Sequence, residues 1–104
     1  MGLRELLGFG PSVNYVEKLE AGAWVIDVRT PEEFKQGHFT PSTNIPLKDL
    51  NAHVQKIIDS NKEVILICRS GVRAGQAKGF LKRAGVVAHN GGGWVDFKSK
   101  IEKK

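Results

Sequence analysis

The sequence predicts an α/β protein whose parallel sheet is covered by helices on both faces. Two observations carry this. Short apolar runs rich in β-branched residues alternate with segments whose apolar residues recur every three or four positions. The richest run, Val64 to Cys68, has no polar side to turn towards water, as a strand buried on both faces requires. With 104 residues the chain can build one core but not two, so residues 1–104 are expected to form a single domain, with residues 1–10 as an N-terminal extension.

Ser12 after Pro11 is a fitting N-cap for a short helix to Glu20, with Val13, Val16 and Leu19 on one face and Gly22 ending it. Ala23 to Val28 reads as the first buried strand. Thr30-Pro31-Glu32-Glu33 then supplies a cap, a proline at the first helical position and acids at the positive helix end, for a helix to Gln36 closed by Gly37. Thr43 to Ile45 can form only a brief strand between prolines. Leu47 to Ser60 is helical, broken into two pieces. Glu63 to Cys68 is the central strand, and Arg73 to Ala84 is a helix with Ala74, Ala77, Phe80 and Leu81 on one face. Val86 to His89 is a further strand, Gly91-Gly92-Gly93 a flexible turn, and Trp94, Phe97 and Ile101 mark a last helix.

Composition narrows the function classes. No apolar run approaches the ~18 residues that cross a bilayer, and the first ten residues lack the long apolar core of a secretory signal. A lone cysteine excludes an internal disulfide or a multi-cysteine metal site and suits a reducing compartment, so a cytoplasmic protein is expected, with no membrane partner. The net charge of +5 is concentrated partly in Lys98, Lys100, Lys103 and Lys104; it reads as a solvated surface able to attract small anions, without the basic and aromatic interleaving of a nucleic-acid site. His38, His53 and His89 are scattered, so neither a metal site nor a cofactor is expected. Asp27, Arg29, Glu32 and Glu33 read as cap and ion pair, and Trp24 and Trp94 as core or site wall.

Cys68-Arg69-Ser70-Gly71-Val72-Arg73 lies between the most hydrophobic strand and a helix, where open parallel sheets place their ligands. A loop turning into a helix can aim successive N–H groups at an anion. Gly71 permits the backbone angles such a turn needs, and Arg69 and Arg73 add positive charge that favours a thiolate on Cys68. The competing reading is that Cys68 is simply the last buried residue of a strand, since cysteine is among the most buried residue types; it leaves the two arginines, serine and glycine that follow unexplained.

These residues carry a resemblance. Asp27 to Phe34, Gly37-His38-Phe39 and Asn44-Ile45-Pro46 resemble, in order and spacing, the first signature of the rhodanese domain family. Cys68 to Ala74 resembles that family's active-site loop, and Gly91-Gly92 with Trp94 its C-terminal signature. Thr40-Pro41-Ser42-Thr43 departs from the small-residue turn usual in the family. The resemblance implies a parallel sheet of about five strands and a double displacement: the Cys68 thiolate attacks the outer sulfur of a donor such as thiosulfate, sulfite leaves, and a persulfide remains on Cys68. Arg69, Ser70, Gly71, Val72 and Arg73 would bind the donor, their N–H groups holding the terminal sulfur. Cyanide, a thiol or a protein acceptor then removes it. With four residues between Cys68 and Arg73, the loop is one shorter than in cysteine-dependent phosphatases and better matched to a single sulfur than to a phosphate. An alternative function with the same cysteine is a persulfide carrier that docks on a partner protein and turns over little by itself.

Overall fold

The computed structural model describes residues 13–102. Helix α1 is Tyr15–Glu20, capped by Asn14, whose Oδ1 accepts from Glu17 N at 3.1 Å; Ser12, the cap expected from sequence, lies outside the described residues, as do residues 1–10. Strand β1 is Trp24–Asp27 and helix α2 is Pro31–Gln36. At the start of α2 the Thr30 hydroxyl accepts from Glu33 N while the Glu33 carboxylate accepts from Thr30 N, so two otherwise orphaned donors are satisfied reciprocally. The brief strand β2 is Thr43–Asn44. A 3-10 turn, Leu47–Asp49, leads into helix α3, Leu50–Ser60, which are the two pieces expected. Strand β3 is Val64–Cys68, helix α4 Val72–Arg83, strand β4 Ala88–Gly93 and helix α5 Trp94–Glu102.

All strand pairs are parallel, in the order β2-β1-β3-β4. Among the described residues there are four strands rather than about five, each overlapping a segment read as a strand from the sequence. Because successive strand side chains point to opposite faces, β3 feeds an apolar cluster on each face of the sheet. Val64, Leu66 and Cys68 join Leu50 and Ile57 of α3 and Ala74, Ala77 and Leu81 of α4. Ile65 and Ile67 join Val25 and Phe39, with Phe97 of α5 and Tyr15 and Leu19 of α1 packed on them. Every β3 residue is buried, which accounts for its unbroken apolar run. Cys68 is thereby fixed at the carboxyl end of an interior strand, against the start of α4.

One segment departs from expectation. Val86 and Val87 are the exit from α4, with Val86 N donating to Leu81 O, and the glycine run expected as a flexible turn is the second half of β4. An added Cβ on Gly93 would stand 2.6 Å from the Arg69 carbonyl oxygen, so β4 runs here where no side chain fits. Composition signalled a turn; pairing of Gly92 with Ile67 and of Gly93 with Cys68 makes it a strand, and the close approach to the cysteine loop requires glycine in it. Gly93→Ala should therefore lower stability by about 1–3 kcal/mol, as overpacking does, measurable as a lower urea midpoint; an unchanged midpoint would contradict the contact.

Candidate active site

The loop after β3 reverses over its own cysteine. Gly71 adopts φ +99°, a left-handed conformation that glycine takes without the steric cost of a Cβ, and this turns its N–H inward. Cys68 Sγ accepts from Gly71 N at 2.9 Å and from Ala74 N at 3.4 Å. Two donors aimed at one sulfur, at the positive end of a twelve-residue helix, form a cradle for a negatively charged sulfur atom. Cys68 itself is only 1% exposed. Cys68 is thus a buried strand-end residue with the following backbone folded onto its sulfur.

The other residues named from sequence are placed as follows. Arg69 and Ser70 are exposed, Val72 is 68% exposed, and Arg73 is half-buried. The Arg73 guanidinium is held by Glu33 through two bonds, Nη1 to Oε1 at 2.7 Å and Nη2 to Oε2 at 3.0 Å. That pairing, with the Thr30 backbone bond, holds the Glu33 carboxyl down at about 2, well below its ordinary 4.5. The folded value is depressed, so the stabilisation from this pair is complete above the ordinary value and is lost as pH falls through about 2. Arg73 thus staples α4 to α2. Among the described residues no side chain pairs with Arg69.

Arg69 lines a cleft of ≈ 370 Å³ together with Arg29, Glu33, Gln36, Gly37 and Trp94. Arg29 in its lining belongs to a buried ion pair. Asp27, fully buried, accepts from Arg29 N and Nε and from Nη2 at 2.7 Å. Arg29 Nη2 also donates to Gly37 O, Nη1 donates to Glu33 O, and its Cζ lies 4.9 Å from the Trp94 ring centroid. Every arm of Arg29 is therefore committed to the scaffold, as the cap-and-ion-pair reading had it. Trp94 is the wall of this cleft, while Trp24 donates from Nε1 to Thr43 Oγ1 away from it.

Sequence reasoning missed three contributors to the loop. Ala74 supplies the second N–H on sulfur, Glu33 immobilises Arg73 across forty positions of chain, and Asn90 of β4 bonds to Gly71. The first was legible in principle, since a helix presents several consecutive free N–H groups at its start. The others depend on tertiary approach. His38, His53 and His89 bond to Phe34 O, Asp49 O and Glu63 respectively, each in its own part of the fold, and no group of three metal-ligating side chains occurs among the described residues. No helix among the described residues is long and apolar enough to cross a membrane.

The sequence profile of the rhodanese-like domain matches residues 13–100. Thiosulfate sulfurtransferase PspE of Escherichia coli is 38% identical over 73 residues, 68% of this chain and 70% of that protein. A solved rhodanese with anions, also from E. coli, is 36% identical and superposes with a TM-score of 0.66 over 72% of this chain and 91% of its own. A tRNA uridine(34) hydroxylase of Cronobacter sakazakii is 27% identical over 86 residues, 76% of this chain but 25% of that protein. Profile, relatives and fold agree: the chain belongs to the family of rhodanese-like domains.

Proposed function

We propose that the protein is a sulfurtransferase that carries sulfane sulfur as a persulfide on Cys68, taking it from thiosulfate or a related small anion. The observation that carries this reading is the convergence of the Gly71 and Ala74 N–H groups on Sγ. In the forward step the Sγ lone pair attacks the outer sulfur of thiosulfate; the S–S bond of the donor breaks, and its electrons leave with sulfite. The loop N–H groups supply preorganised positive charge while the negative charge shifts across the sulfurs. Cyanide or a thiolate then attacks the outer sulfur of the persulfide and restores the Cys68 thiolate. No second cysteine exists to resolve the persulfide internally, so delivery is to another molecule. No cofactor or metal enters this scheme, and a reducing compartment such as the cytoplasm suits its single thiol.

Donor binding falls chiefly to Arg69, because Arg73 is already spoken for by Glu33. Arg69→Ala should raise the KM for thiosulfate about tenfold, the worth of one charged hydrogen bond, with kcat changed far less. Arg73→Ala should instead lower the melting temperature. Steady-state kinetics and thermal melts of both variants check this, and equal KM increases in the two would refute the division.

A persulfide carrier is the second reading, favoured by Val72, which stands 68% exposed beside the cysteine loop where a protein acceptor could rest on it. Mass spectrometry after thiosulfate treatment tests the common chemistry, the expected result being one added sulfur per chain. Turnover with thiosulfate and cyanide then separates the readings: fast cycling supports the enzyme, a stable persulfide with negligible cycling the carrier.

A further inference from the structure

We infer that Asn90 is the positioning residue of the sulfur cradle, acting on Cys68 through Gly71; the inference rests on the persulfide reading and adds to it the device that holds the loop in register. Gly71 must be glycine to reach φ +99°, but the same freedom makes it the softest joint in the loop. Its N–H is one of the two donors on Sγ, so any swing at this joint moves a donor off the sulfur.

Asn90 removes that freedom. Its Nδ2 donates to Gly71 O at 3.0 Å, and its Oδ1 accepts from Gly92 N at 2.8 Å. The two partners fix which end of the carboxamide faces which way, since the flipped amide would set oxygen against oxygen and N–H against N–H. Gly71 O also accepts the first helical bond from Gly75 N at 2.9 Å, so two donors grip one carbonyl. The side chain is aimed by an irregularity in β4. Leu66 pairs with Asn90 but Ile67 pairs with Gly92, so Gly91 is the extra residue of a bulge, a feature that re-aims neighbouring side chains. On the far side Gly75 makes room for the amide, since a Cβ added there would stand 3.3 Å from Asn90 Nδ2. Behind Asn90, the Tyr15 hydroxyl donates to its backbone O at 2.9 Å.

The test is Asn90→Asp, close in shape, which keeps an acceptor for Gly92 N but sets an oxygen against Gly71 O. Asn90→Ala serves as a second variant, and Ile57→Val, in the core of α3 away from the loop, as a control for lost stability. The expected result for Asn90→Asp is a fall of about tenfold in the rate of sulfur loading at saturating thiosulfate, in line with misplacement of a catalytic group. The KM should stay within about twofold, because Asn90 does not touch the donor. In both Asn90 variants amide hydrogen exchange should quicken at Gly71 but not at Leu66, whereas Ile57→Val should leave loading and Gly71 exchange unchanged at a similar or lower melting temperature. Wild-type loading and Gly71 protection in both Asn90 variants overturn the inference, as does an equal loss in Ile57→Val. If the wild-type protein takes up no sulfur, the persulfide reading fails separately, and exchange at Gly71 still decides whether Asn90 holds the loop.

Discussion

Cys68→Ser protein treated with thiosulfate should gain no sulfur at all, with turnover falling to the level of the uncatalysed reaction. The serine oxygen lies close to the Sγ position on a shorter bond and can still accept from Gly71 N, so the loop keeps its shape. It cannot perform the chemistry. A hydroxyl is a weak nucleophile at neutral pH, no general base stands within the loop to activate it, and a persulfide requires a sulfur atom to bond to sulfur. Because Cys68 is only 1% exposed and packs with Leu66 and Ala74, the substitution puts a hydroxyl in an apolar surround, but the Gly71 N–H remains to satisfy it. The melting temperature should therefore change by a few degrees while sulfur uptake disappears. Intact-mass measurement before and after thiosulfate, beside a thermal melt, reads both. Retained uptake of sulfur in the serine variant would place the chemistry on another group and end the reading.

The sites of strand and helix were legible where one local cause acts. Val64 to Cys68 is apolar throughout because both faces of β3 are covered, and Thr30-Pro31-Glu32-Glu33 builds its own capping box without help from the rest of the fold. The position of the cysteine loop followed from the same logic, being the junction between that strand and the next helix. What the sequence could not show arises between distant segments. Arg69 and Arg73 look alike in the sequence, yet Glu33 occupies one and nothing among the described residues occupies the other. Gly91-Gly92-Gly93 carries the composition of a turn, but it pairs with β3 as a strand, and the passage of β4 against the Arg69 carbonyl explains why Gly93 is glycine. Asn90 is one polar residue among several until the bulge turns its amide onto Gly71. How deeply Cys68 sinks was equally hidden, because the loop that covers it is placed by these contacts.

The Asp27–Arg29 pair should be the most costly charge in the protein to break. Asp27 is fully buried and Arg29 is 4% exposed, so replacing one partner strands the other without water. Asp27→Asn keeps the shape and removes the charge, and should destabilise the fold by about 3–5 kcal/mol, a large share of the ~5–15 kcal/mol that domains of this kind possess. The companion variant separates scaffold from chemistry. Asp27→Leu combined with Arg29→Met removes both charges at once, leaves no ion unpaired, and should be more stable than Asp27→Asn alone, since apolar replacement of a whole buried pair is often neutral. Yet it also deletes the donors to Gly37 O and Glu33 O and the cation under Trp94, residues that line the cleft beside Arg69. The double variant should accordingly fold and still load sulfur slowly, with a raised KM for thiosulfate, whereas Asp27→Asn should lose activity in step with its folded fraction. Urea titration and loading kinetics measure the two effects. If Asp27→Asn melts within about 1 kcal/mol of the wild type, a surface-like value, the pair is not the buried anchor that its geometry indicates.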